Sequence, residues 1–213
     1  MSLNYGTLKS QILEDAHRAD LSTKVDDFVR RAEGIIYRKL RSAELVTRVD
    51  LTDSDRVTAL EGFYTLPADY LEDRSFFLVN SSSGDIQLES VSLAELRRYS
   101  GGSPVRHYSI ISQTVVEFRG VPSTTDVVEL IYFARPTQFS GDSDVNDILT
   151  NHESIYLDAS LAALYKYTQD LELSQTHQDA ADAAIEALNE QTGRVLGGAR
   201  TSGYYDFNSW GGR

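Results

Sequence analysis

"GFYTLPADYLEDRSFFLV", residues 62–79, and "DILTNHESIYLDASLAALYKY", residues 147–167, bracket a change of sequence period, and that change decides the fold. In the second stretch Ile155, Ala159, Ala162, Ala163 and then Lys166 or Tyr167 recur at three- and four-residue steps, which predicts a helix over 151–168. Thr150 and Glu153 match a capping box, in which each residue satisfies a free donor at a helix start. "TQDLEL" at 168–173 reads as a tight reversal into a last helix over 172–195. That helix carries Leu173, His177, Ala180, Ala181, Ala184, Leu188 and Val195 on one face, and its alanines allow close approach of a neighbouring helix. "GGAR" at 197–200 ends the regular structure.

Working outward to the other end, helices are expected near 5–19 and 23–42. The first carries Leu8, Ile12, Ala16 and Ala19; the second has a wide apolar stripe of Val25, Phe28, Val29, Ala32, Ile35, Ile36 and Leu40. Ser22 or Thr23 is the expected N-cap, and Gly34 is read as permitting a close helix crossing. Between the helical ends lie strand-like runs at 46–51, 62–66, 75–80, 86–91, 106–112, 114–119 and 127–133. Turn chemistry separates them, as in "TDSDR", "LPADY", "NSSSGD", "GGSP" and "GVPST", and Pro67 and Pro122 fall at turns or strand edges. "SLAELRRY" at 92–99 interrupts the strands as a short helix with Ser92 and Glu95 in capping-box spacing. The expectation is an α+β protein. Residues 1–45 and 147–196 form a helical bundle, 46–146 an inserted antiparallel β-sandwich or barrel-like domain, and 197–213 an extended arm.

The 213-residue chain has no cysteine, which excludes disulfides and thiolate chemistry. "MSLNYGTLKSQ" lacks an apolar core after a basic start, so no signal peptide is expected, and no apolar run is long enough for a membrane span. A net charge of −12 argues against tight wrapping of nucleic-acid phosphates. The charge is uneven: Arg30, Arg31, Arg38, Lys39 and Arg41 gather on the second helix, while acid dominates the middle and the C-terminal helices. Such asymmetry suits head-to-tail contact between unlike surfaces.

Catalytic constellations are not found. His17, His107, His152 and His177 have no metal-ligand or triad spacing, and "GGSP" lacks the Lys of a phosphate loop. Asp53/Asp55 and Glu72/Asp73 sit at turns, where such side chains bond the local backbone. Asp142, Asp144, Asn146 and Glu153 take positions 1, 3, 5 and 12 of a calcium loop. Asp147 stands where that loop needs glycine, so an acidic turn at a helix N-terminus is the preferred reading, with calcium at Asp142–Asn146 left open. No enzyme activity and no cofactor are expected. The tail "TSGYYDFNSWGGR" at 201–213 reads as an arm that orders on a partner through Tyr204, Tyr205, Phe207 and Trp210, with Arg200 beside it.

The order of "LNYGTLKSQI", "ADLSTKVDDFVRRAEGIIYRKLR", "GFYTLPADYLEDRSFFL", "ESVSLAELRRYSGGSPVRHYSI", "VVELIYFARPTQFSG" and "ILTNHESIYLDASLAALYKY" resembles the podovirus-type head-to-tail adaptor (connector) family of tailed bacteriophages. The resemblance covers about residues 4–196 and carries no catalytic residues. It implies a structural virion protein at the head–tail junction, made in the bacterial host cytoplasm. In that family a homo-oligomeric ring, usually of twelve copies, binds beneath the portal protein, extends the channel through which DNA passes, and receives the next tail component, a nozzle or tail tube. The aromatic arm is the expected portal contact, with Arg30, Arg31, Arg38, Lys39 and Arg41 as a secondary interface. Two other readings stay open: a small-molecule- or carbohydrate-binding module using Tyr64, Tyr70 and Tyr108, and another tail-tube-proximal structural protein.

Overall fold

Helix α1 (Tyr5–Asp15) begins at Asn4, whose side chain accepts the Thr7 amide while Thr7 Oγ1 accepts the Asn4 amide. The reciprocal pair satisfies two of the donors that every helix start leaves free. The structure, a computed structural model, describes residues 3–57, 61–79, 84–101, 104–120, 122 and 126–197. The arm residues Arg200, Tyr204, Tyr205, Phe207 and Trp210 lie outside the described residues.

α1 stops earlier than its sequence period suggested, because His17 turns left-handed at φ 51° and the chain enters a 3-10 turn at Ala19–Leu21. α2 (Val25–Lys39) follows, with Asp26 and Asp27 in its first turn and Arg38 and Lys39 in its last, as the helix dipole favours. Its N-cap is Lys24, with no side-chain cap bond; neither Ser22 nor Thr23 serves, since they fall two residues and one residue too early.

The strands are β1 (Val46–Leu51), β2 (Phe63–Thr65), β3 (Tyr70–Val79), β4 (Ile86–Gln87), β5 (Glu89–Ser90), β6 (His107–Ser112), β7 (Val115–Phe118) and β8 (Val127–Ala134). They form two four-stranded sheets, β1-β8-β3-β4 and β2-β7-β6-β5. The single strand expected at 86–91 is split at Leu88, where the chain leaves the first sheet for the second. Pairing is antiparallel except for β5 with β6, which run parallel. The crossover carrying this parallel pair is α3 (Leu93–Leu96), capped by Ser92 Oγ accepting the Glu95 amide. The Glu95 side chain does not close the expected box, but accepts the Tyr99 hydroxyl instead. Phe76 of one sheet meets Tyr108 and Phe118 of the other, so the sheets share one core and form a sandwich rather than a closed barrel. Gly62 adopts φ 80°, and a Cβ there would sit 2.7 Å from the Phe118 carbonyl oxygen, so only glycine fits this approach.

The return to helix starts at Asn146, not Thr150. Asn146 Oδ1 accepts the Leu149 amide and caps α4 (Asp147–Asn151), while Thr150 Oγ1 donates back to the Asn146 carbonyl from inside the helix. The chain kinks at His152 and continues as α5 (Glu153–Tyr167). Gln169, left-handed at φ 64°, makes the reversal into α6 (Leu171–Gly197), whose first turn is met by Asp170 Oδ1 on the Leu173 amide. α5 is buried on nearly every side, through Ile155, Tyr156, Ala159, Ser160, Leu161, Ala162, Ala163 and Leu164, and packs against α1, α2 and α6. The buried face of α6 is Ala181, Ile185, Leu188 and Thr192; Leu173, Ala180 and Val195, expected on that face, are exposed. The close crossing occurs at Ala32, where three wholly buried alanines (Ala32, Ala159 and Ala181) meet, one each from α2, α5 and α6. Gly34 is not at that crossing: a Cβ on it would meet nothing within 4 Å.

Candidate assembly surfaces

Gly34 instead opens onto a groove of about 800 Å3 between α2, α5 and α6. Its floor is apolar, from Ile35, Ala162, Ala163 and Leu171, and its rim is cationic, from Arg31, Arg38 and Lys166. Arg38 Nε donates 2.7 Å to the Gly34 carbonyl, which folds the guanidinium back along the helix. None of these three cations is in a salt bridge with a carboxylate of the described residues.

The remaining basic candidates divide. Arg30 is exposed but does not line the groove; its charge acts on Asp26 and Glu33. Lys39 Nζ pairs with Asp182 at 2.7 Å, tying α2 to α6. Arg41 is committed internally: Nε bonds Glu72 at 2.7 Å and Nη1 reaches the Tyr37 and Leu40 carbonyls, so it joins the end of α2 to β3. Two residues not singled out in the sequence complete this junction. Asn189 accepts the Arg41 amide and donates to the Lys39 carbonyl, capping α2 from α6, and Thr192 Oγ1 accepts the Ala43 amide. Their sequence separations of 148 and 149 residues hide them from any local pattern.

The acidic turn 140–146 is occupied by the protein itself. Asp144 Oδ2 accepts the Ser140 and Gly141 amides and the Ser140 hydroxyl, which hold its carboxyl below the usual range. Lys9 pairs with Asp142 at 2.6 Å, and the first-turn amides of Tyr5 and Gly6 donate to the Asp144 and Asp142 carbonyls. The turn is the seat on which α1 docks. Asn146, besides its cap, donates to Thr137 O and to the Tyr156 hydroxyl. Among the described residues, no group of three or more His, Asp or Glu side chains is arranged to hold a metal ion.

Glu33, on α2, is only 4% exposed and accepts the Tyr37 hydroxyl and the Phe139 amide. Burial outweighs those bonds and pushes its carboxyl above the ordinary 4.5. The tyrosines considered as ligand contacts are buried: Tyr64, Tyr70 and Tyr108 are 3–5% exposed. Tyr70 and Tyr108 give their hydroxyls to Asp73, at 2.9 and 2.6 Å. All three are core residues, two of them with satisfied polar tips, which removes the observation that motivated a carbohydrate module. His152 bridges to Glu44 at 3.3 Å, and His177 to Asp158 at 2.9 Å while stacking on Tyr165.

The fold is a set of helices from both ends of the chain with a two-sheet sandwich between them, and a cation-rimmed groove between α2, α5 and α6. The family model of the SU10 adaptor protein matches residues 3–203, and the chain belongs to that family of phage structural adaptors. The match runs past the 4–196 covered by the resemblance and includes Arg200, but stops short of Tyr204, Tyr205, Phe207 and Trp210. A search of curated proteins returned no match.

Proposed function

We propose that this chain assembles as a ring, of twelve copies, beneath the portal at the head–tail junction of a phage particle. The ring extends the DNA channel and presents a platform to the next tail component, a nozzle or tail tube. The observation that carries this reading is the adaptor-family match across nearly the whole chain. The net charge of −12 supports a lumen through which DNA slides without specific binding. Residues 1–45 with 147–196 act as the packing frame, 46–146 as the projecting sandwich, and 197–213 as the arm that docks on the portal through Tyr204, Tyr205, Phe207 and Trp210. Arg200 lies at the base of that arm, and the basic face of α2 is a second interface, distinct from the portal contact.

Electron microscopy of the particle with this chain located tests the reading: a ring between portal and tail is expected, and a position elsewhere overturns it. Trp210 is the single tryptophan, so its fluorescence reports on the arm alone. Deleting 201–213 is expected to leave the fold intact and abolish stable attachment to portal rings. Normal attachment of the truncated chain overturns the arm as the main portal contact. Duplex DNA is expected to show no salt-sensitive binding to the purified protein at moderate ionic strength.

A further inference from the structure

We infer that the cation-rimmed groove between α2, α5 and α6 receives the acidic outer face of α6 from a second copy of this chain. This deepens the ring reading above and rests on it. Among the described residues the groove's cations meet no carboxylate in a salt bridge, on a protein of net charge −12, so the natural complement of this basic surface is an acidic one. The same molecule carries that complement. On α6 the exposed residues Glu172, Asp179 and Glu186 recur every seven positions and form a ridge facing away from the core.

The two surfaces match in detail. On α2, Arg31, Gly34 and Arg38 follow one another at steps of three and four. On α6, read from the other end, Glu186, Ala183 and Asp179 follow at the same steps of three and four. Laid antiparallel, Arg31 faces Glu186, Gly34 faces Ala183 and Arg38 faces Asp179. Both charged pairs span two helical turns, about 10.5 Å at 1.5 Å per residue. The centre of each surface is small. Gly34 has open space where a side chain would stand, and Ala183 is exposed and presents one methyl. Small residues at the centre let the helices approach while the longer charged side chains close over both sides. Ile35, Ala162 and Leu171 then supply an apolar floor. Lys166 adds a third cation from α5, beside the acidic ridge of the incoming helix. Because donor and acceptor surfaces differ, the contact is heterologous and repeats from copy to copy.

The absence of cysteine makes the test direct. A full-length chain carrying both Gly34→Cys and Ala183→Cys is oxidised, at the concentration where the wild type self-associates and on portal rings. A ladder of covalent oligomers longer than dimers is expected from the double variant, and at most dimers from either single variant. In parallel, Arg31→Glu with Arg38→Glu is expected to weaken self-association at least about tenfold, and Asp179→Arg with Glu186→Arg to do the same. Mixing the two charge-reversed chains is expected to restore pairing between them. Circular dichroism melts confirm that each variant is folded. Wild-type assembly with no ladder, and with charge-reversed variants that assemble normally, overturns this contact and leaves the ring standing. A ladder that stops at dimers identifies a symmetric contact and overturns it equally. A wild type that stays monomeric both in concentrated solution and on portal rings overturns the ring reading and this inference together.

Discussion

The helical core is the larger of the two cores, and it differs from the sandwich core in side chains and in reach. The helical core is mostly aliphatic, with Leu8, Ile12, Ile36 and Leu188 packed around the nearly enveloped α5, and four aromatic rings, Tyr5, Phe28, Phe133 and Tyr156, among them. Its members come from both ends of the sequence. The sandwich core is richer in aromatics, with Tyr64, Tyr70, Phe76, Tyr108, Phe118 and Tyr132 set among leucines and valines, and its members all lie from Leu51 to Tyr132. The polar side differs too. Sandwich tyrosines place their hydroxyls on nearby carboxylates, Tyr132 on Asp69 and Tyr70 and Tyr108 on Asp73, and burial with the Asp69 bond pushes Tyr132 up to about 12. The helical core closes its backbone with Asn189 and Thr192, supplied from the far end of the chain. One core is completed locally; the other requires the last helix to be present.

The largest test of that contrast is truncation of buried rings. Phe28→Ala in the helices and Phe76→Ala in the sandwich are each expected to cost about 3–5 kcal/mol, and Leu188→Ala about 2–5 kcal/mol. Thermal melts followed at helical and strand wavelengths then show whether the cores separate. Early loss of helical signal alone in Phe28→Ala and Leu188→Ala sharpens the contrast, and one shared transition in all three variants breaks it.

Asp73→Ala is next, since it leaves the Tyr70 and Tyr108 hydroxyls without their carboxylate. A loss of about 1–3 kcal/mol is expected, recovered in part when both tyrosines are also replaced by phenylalanine. Chemical denaturation of the single and triple variants measures the recovery. Asn189→Ala removes the cap that α6 places on α2 and is expected to cost about 1–2 kcal/mol. Equal losses at Asn189 and at an exposed residue such as Glu186 would remove the junction from the account.

Glu33 gives the pH test. Its folded-state carboxyl is raised by burial, so the native chain holds the proton more tightly than the unfolded one. The stability tied to that proton is full below pH 4.5 and is lost as pH rises through the raised folded value. Glu33→Gln keeps an acceptor for Tyr37 and Phe139 and is expected to flatten this decline, with a higher melting temperature than wild type at pH 8 and little difference at pH 4. Asp26 runs the other way. The Tyr5 hydroxyl, then Lys9, holds it below its ordinary value, and its contribution is lost as pH falls through that lowered value. The smallest effect belongs to Arg41→Ala, up to about 1 kcal/mol for a half-solvated pair with Glu72.

Element type was legible wherever a period ran long enough. The stripe Val25–Leu40 is a helix whose three- and four-residue spacing puts apolar groups on one side, the longer apolar run Ile155–Leu164 is a helix enveloped on nearly every side, and the alternating or β-branched runs between them are strands. Ends were less legible. Thr150 satisfied a capping pattern, yet Asn146 takes the cap, because its amide also reaches Thr137 O and the Tyr156 hydroxyl and so has more partners there. The run 86–91 looked like one strand, since nothing in its composition marks Leu88 as the point where the chain changes sheets.

What the sequence by itself determined, then, is the class: helices at both ends, strands between, no cysteine chemistry, a charge split along the chain, and an order of motifs that places it with the phage adaptors. Those properties are local or additive, so spacing and composition carry them. Only the tertiary structure decided which helices touch, that Ala32 rather than Gly34 makes the close crossing, and that Arg41 is tied to Glu72 while Arg31 and Arg38 have no salt bridge to a carboxylate of the described residues. Each of these depends on a partner far away in sequence, and no local pattern records which carboxylate or carbonyl a side chain will meet once the chain has folded.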